Sequence, residues 1–135
     1  MKQLLNMFLF VALSFGGFAY AEDASKQMAV REISVKQVQQ FIDSKVKNVA
    51  ILDANIEDAR KDAGVVLGAI LLTSYNKYAI TELPKDKNTT LVFYCYNSYC
   101  QASDAAAERA IDAGYKDARV MRAGIVGWNT AKTKS

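Results

Sequence analysis

The chain has 135 residues, room for one compact domain and hardly two, and its hydrophobic content of 51% with 23% charged residues is that of a globular chain. Lys+Arg total 17 against Asp+Glu 14, a formal net charge of +3, too small an excess for electrostatic binding of nucleic acid. With no histidine and two cysteines, His-based acid–base chemistry, the Ser-His-Asp triad and every histidine-containing zinc site are excluded, and a four-ligand zinc site would need two carboxylates besides. Cysteine chemistry, carboxylate chemistry or no chemistry remains.

At the start, Lys2 precedes an apolar run over residues 4–13, and Ala19-Tyr20-Ala21 places small residues at both cleavage positions. This is the layout of a secretory signal peptide. The uncharged stretch 3–21 is near the lower limit for a membrane span, but Asn6, Ser14 and two glycines dilute it. The reading is cleavage after Ala21. Residues 22–135 are then a periplasmic or secreted domain with no membrane attachment after cleavage. Its compartment is oxidising, which changes how the two cysteines are read.

Residues 22–27 form a polar lead-in. Ser34 is placed to cap a helix in which Val35, Val38, Phe41 and Ile42 fall at helical spacing. Residues 49–52 are a short continuous apolar run, typical of a strand buried on both faces, and it ends at Asp53. Asn55 is placed to cap a short helical turn over 56–60. Residues 65–72 contain the next buried strand, and 75–83 a connecting helix or loop ended by Pro84. The clearest strand is 90–94, β-branched and aromatic. Cys95-Tyr96-Asn97-Ser98-Tyr99-Cys100 follows, then an alanine-rich helix from about 101 to 112, with Gly114 as its C′ residue. A last strand over 118–121 and a closing helix over about 125–132, around Trp128, complete the chain. Short apolar strands alternating with helices predict an α/β fold: a three-layer α/β/α domain with a central, mainly parallel sheet of about five strands.

Five segments in order carry a family resemblance. Ile51-Leu52-Asp53-Ala54-Asn55 resembles a strand ending in Asp-x-Arg, with Asn55 in place of the arginine. Residues 63–70 resemble a Gly-His-Ile-Pro-Gly-Ala segment, keeping Gly64 and Gly68 but not the histidine or proline. Residues 91–95 resemble a strand that delivers a nucleophilic cysteine. Gly114-Tyr115 resembles a Gly-Tyr pair, and residues 124–128 a Gly-Gly-x-x-x-Trp signature with Ala123 at the first glycine. Together these resemble the single-domain rhodaneses over roughly residues 32–130. The resemblance implies a sulfurtransferase that needs no cofactor or metal. Its partners would be a small sulfur donor and a thiol acceptor, with a partner protein as a further option, and the protein a monomer.

Cys95 stands at the carboxyl end of a buried parallel strand, before a tight loop and a helix, where open α/β sheets place their ligands. Loop N–H groups turned inward and the positive end of the helix starting near Gln101 would favour a thiolate, and then a persulfide anion, without histidine. The alternative is a buried, inert cysteine. Tyr96, Asn97, Ser98, Tyr99 and Gln101 form the substrate-binding loop. They are neutral where rhodanese loops often carry basic residues, so an anionic donor meets dipoles but no loop charge. The tyrosines either line a pocket or pack against helices. Arg122 is a candidate outside the loop, with a solvated surface charge as its other reading. Related phosphatases of this fold need an arginine six positions after the cysteine; Gln101 stands there, which disfavours phosphate-ester hydrolysis.

Cys100 has several readings. A disulfide to Cys95 would close a six-residue ring worth about 2 kcal/mol in loop entropy. Alternatively the loop's side chains radiate outward, Cys100 points away, and bridging needs rearrangement. It would then either resolve a persulfide or serve only as a small residue at a helix start. Asp53 and Asp104 are expected to be structural. Three functions follow: a sulfurtransferase using Cys95, an exported dithiol/disulfide redox protein using Cys95 and Cys100, and a non-catalytic rhodanese-like binding module.

Overall fold

The structure is a computed structural model that describes residues 30–134. The proposed signal peptide and cleavage point lie outside the described residues. Among the described residues no helix is long and apolar enough to cross a membrane.

Five strands form one wholly parallel sheet: β1 (Val30–Glu32), β2 (Val49–Asp53), β3 (Ile70–Leu71), β4 (Thr90–Tyr94) and β5 (Asp117–Val120), in spatial order β1-β5-β4-β2-β3. Helices α1 (Val35–Asp43), α2 (Glu57–Ala63) and α4 (Gly124–Thr133) cover one face, and α3 (Ala102–Asp112) covers the other. The period-2 alternation of a strand sorts β4 between the two cores. Leu91 and Phe93 face α3 with Ala106, Ala107 and Ala110, whose small side chains let that helix approach the sheet closely. Val92 and Tyr94 face the other way, against Val38, Ile125 and Trp128. These four of the five β4 residues are fully buried, as expected for the middle of a doubly covered sheet.

Most predicted elements are present, with three corrections. The expected lead-in over 22–27 lies outside the described residues, and after it an edge strand absent from the sequence reading, β1, pairs to β5 through Val30↔Ala118 and Glu32↔Val120; Arg31 and Glu32 are exposed on it, so it lacks the apolar run that marks an inner strand. The strand expected within 65–72 shrinks to Ile70–Leu71. Gly64 and Gly68 both take positive φ, and a turn from Ala69 N–H to the Val66 carbonyl keeps the preceding residues out of the ladder. Asn55 does not cap α2: its N-cap is Ile56, without a side-chain bond, while Asn55 is buried. Ser34 does cap α1, in a reciprocal capping box with Gln37, and Gly114, at φ 97°, closes α3.

At the amino end of the sheet Asp117 ties three strands. It accepts from Arg119 on β5 at 2.9 and 3.0 Å, from Arg31 on β1 at 2.7 Å and from the Thr90 hydroxyl on β4 at 2.9 Å. The Arg119 bonds, helped by Arg31 and Thr90 and opposed by partial burial, hold its carboxyl down to about 2. A depressed folded pKa contributes stability that is present above the ordinary value and lost as pH falls through the folded one. Thermal unfolding followed from pH 4 to pH 2 is therefore expected to show Tm falling more steeply for the native chain than for Asp117→Asn; equal slopes would contradict this.

Candidate active site

Cys95 is the first residue past β4. It is buried on the α3 side with Leu91 and Phe93. Main-chain bonds fix its position from both flanks. Ala54 N–H donates to the Tyr94 carbonyl at 2.9 Å and Met121 N–H to the Phe93 carbonyl at 2.9 Å. Beyond the sheet, α4 takes over: Ile125 N–H donates to the Cys95 carbonyl at 2.9 Å and Val126 N–H to the Tyr96 carbonyl at 3.0 Å. The opening N–H groups of a helix have no intrahelical partner, and here they seize the start of the loop. Gly124 makes this approach possible. Its φ is +65°, and a Cβ there would land on the Tyr96 carbonyl.

Asn97 shapes the rest of the loop. Its side-chain oxygen accepts from Tyr99 N–H and its carbonyl from Cys100 N–H, both at 3.1 Å, an Asx turn of the usual kind. Cys100 is thereby folded back, and a disulfide joins it to Cys95 across a Cα–Cα distance of 6.3 Å, within the range a bridge spans. Of the readings open for Cys100, the disulfide is the one present, and the alternative of inward-turned loop N–H groups around an outward-pointing Cys100 is not met. Two of those N–H groups are spent on Asn97. The Cys95 sulfur instead lies 3.3 Å from the Cys100 carbonyl oxygen and 3.4 Å from the hydroxyl of Ser103, in the first turn of α3. Ser103 is itself buried, and the sequence reading missed it; a lone serine on an alanine-rich buried face was its signal.

The other loop residues divide. Tyr96 packs partly into the α4-side core and its hydroxyl donates to Asp62 at 2.7 Å, a bond that raises the phenol's pKa. Tyr99 is 90% exposed, and Ser98 and Gln101 also face solvent. The two tyrosines thus do not share a pocket. Arg122 is neither a free surface charge nor part of the loop. Its guanidinium grips Asp104 through two bonds of 2.9 and 3.0 Å and Glu32 at 2.7 Å, so both carboxylates keep it charged. Arg122 and Asp104, with Val30, Gln101, Ala105 and Glu108, line a cleft of about 460 Å³ beside the start of α3.

Behind the loop sits a second network. Asp53, fully buried, accepts from the Tyr94 hydroxyl at 2.6 Å, from Asn55 N–H at 2.7 Å and from Arg60 Nε at 3.3 Å. Arg60 also donates to the carbonyls of Asp53 and Leu72, and Val66 N–H donates to the Tyr94 oxygen at 3.0 Å. Burial and the bond to Asp53 push the Tyr94 phenol up. The guanidinium absent at Asn55 thus arrives from Arg60 on α2. Asp53 bonds a nearby backbone N–H, that of Asn55, as expected, and Tyr94 and Arg60 besides. Among the described residues no group of three or more His, Cys, Asp or Glu is placed to hold a metal ion.

Comparison with known proteins bears on this geometry. The family model described as a rhodanese-like domain matches residues 34–131. None of the curated proteins is similar in sequence. Among solved structures, a Rhodopseudomonas palustris protein described as a possible tyrosine phosphatase has a TM-score of 0.65 at 17% identity, covering 98% of this chain and 96% of that one. Thiosulfate sulfurtransferase from Pseudomonas aeruginosa has 0.62 at 20%, covering 84% of this chain and 21% of that one. The human single-domain sulfurtransferase has 0.59 at 18%, covering 75% and 96%. At such identities the likeness is one of fold.

Replacing Gly124 by alanine is expected to cost about 1–3 kcal/mol through its positive φ, with more from the collision at Tyr96. Denaturant unfolding measures it; a loss below about 0.5 kcal/mol would show that the α4–loop junction is not rigid.

Proposed function

The chain belongs to the rhodanese-like domain family, and from that premise we propose that it is an exported sulfurtransferase with Cys95 as its nucleophile. The observation that carries the reading is the placement of Cys95: buried at the carboxyl end of the central strand, with a second sulfur bonded to it. An external thiol first reduces the bridge. The Cys95 thiolate then attacks the outer sulfur of a sulfane donor, forming Cys95–S–S⁻ and expelling sulfite from thiosulfate or the shortened anion from a polysulfide. A thiol or cyanide acceptor removes the outer sulfur and restores the Cys95 thiolate. Attack by Cys100 on the inner sulfur instead expels hydrosulfide and re-forms the disulfide. That route makes Cys100 a resolving residue.

The surroundings select among donors. No loop side chain carries positive charge, while Asp62 is bonded to Tyr96 and Asp104 occupies the first turn of α3. The nearby guanidinium, Arg122, is taken up by carboxylates. A dianion such as thiosulfate is therefore disfavoured relative to a singly charged organic persulfide. The disulfide itself favours a second reading, a dithiol/disulfide redox protein in which the pair cycles without carrying sulfur.

Intact mass after reduction and exposure to a sulfane donor separates the two. Cys100→Ser is expected to gain about 32 Da, one sulfur atom, more readily from an organic persulfide than from thiosulfate, and Cys95→Ser to gain none. The native chain should pass through the same adduct to the oxidised form with release of sulfide. If Cys100→Ser takes up no sulfur from any donor, the sulfurtransferase reading fails.

A further inference from the structure

The two sulfurs of the bridge are not equivalent. Cys95 is 2% exposed, whereas Cys100 is only half-buried, between the exposed Tyr99 and Gln101 at the outer end of the loop. The Ser103 hydroxyl lies 3.4 Å from the Cys95 sulfur, and that sulfur is the hydrogen-bond partner the structure gives it. Ser103 stands on the buried face of α3, where the other buried residues are Ala106, Ala107 and Ala110. A hydroxyl is both donor and acceptor. On that face it has little reason to exist except as a partner for the sulfur.

We propose that Ser103 sets the polarity of the cysteine pair: an incoming thiol attacks the Cys100 sulfur, and Cys95 leaves as a thiolate stabilised by the Ser103 hydroxyl. The inference rests on the reading of Cys95 as the nucleophile. In the first step an external thiolate bonds to the Cys100 sulfur, the S–S bond breaks, and its electron pair goes to Cys95. A second external thiolate then attacks the external sulfur of the mixed disulfide. It leaves as the external disulfide, and Cys100 departs as a thiolate that takes a proton from water. Two electrons move from the external thiols to the pair, and all atoms are accounted for.

Leaving-group stability decides which sulfur departs. The Cys100 carbonyl oxygen, 3.3 Å from the Cys95 sulfur, can only accept a hydrogen bond and so favours the protonated thiol. Ser103 is the neighbour that can donate, and a hydrogen bond to an anion is about twice as strong as one between neutral groups. The opening turn of α3 adds its dipole in the same direction. Ser103 is a positioning residue here: it acts on the charge state of Cys95, and the sulfur performs the chemistry. The same donation would hold the Cys95 persulfide as an anion.

The test is the pH dependence of iodoacetamide alkylation of the reduced full domain, with each cysteine followed by peptide mass. Ser103→Ala is expected to move the Cys95 profile upward by about one pH unit, about tenfold in rate at a fixed pH below it. The Cys100 profile should stay in place, and Ser103→Thr should restore the original one. Overlapping Cys95 profiles for the native chain and Ser103→Ala would overturn the proposal, as would equal shifts at both cysteines, the mark of a general loosening. For the point of attack, the oxidised protein is mixed with glutathione, quenched in acid and mapped. Glutathione on Cys100 is expected; glutathione on Cys95 overturns it. No sulfur donor enters these measurements, so a protein that passes them yet takes up no sulfane sulfur loses the sulfurtransferase reading alone.

Discussion

The two hydrogen bonds from the first turn of α4 to the carbonyls of Cys95 and Tyr96 decide how the chain leaves its central strand. Inside the sheet, β4 is held by β2 on one side and β5 on the other. At Cys95 that ladder ends, and a backbone without partners would be free to continue in many directions. The unpaired N–H groups of a helix start remove that freedom. They work only because Gly124 has no side chain to stand between them and the loop. Four residues then separate Cys95 from Cys100, and the Asn97 turn uses them to bring Cys100 back onto Cys95.

The chemistry of the site follows from what this packing leaves near the sulfur. A histidine-free site has to control a thiolate with dipoles, and here one carbonyl and one hydroxyl do most of the local work, in opposite directions. The charged groups close by are arranged to cancel. Arg122 is neutralised by Asp104 and Glu32, and Arg60 by Asp53. These pairs lock strand ends and helix starts together, and they offer an anion little beyond the ordinary dipoles of the backbone. Such a site suits a thiol or an organic persulfide better than a small dianion.

Much of this was legible in the sequence, for identifiable reasons. The inner strands β2 and β4 announce themselves because burial on both faces demands continuous apolar runs, and Ser34 and Gly114 mark helix ends through local chemistry. The position of Cys95 followed from the strand it terminates. Edge strand β1 stayed hidden because a strand with one neighbour and polar side chains has no such signature. Long-range polar contacts were equally invisible. Arg60 reaches Asp53 and Leu72, and Tyr94 reaches Val66, across separations that no local pattern encodes. The direction of Cys100 depended on which loop N–H groups Asn97 captures, a matter of three-dimensional competition that residue types do not settle.

The central claim is that the fold makes Cys95 and Cys100 one chemical unit. Equilibrating the purified domain in thiol–disulfide buffers of graded potential, then blocking free thiols and counting them by mass, tests this most directly. The account predicts a single two-electron transition in which the protein passes between two free thiols and none, with the one-thiol species never dominant and no covalent dimer formed. Loss of the two thiols in separate steps, or their capture by other molecules in place of each other, would contradict it.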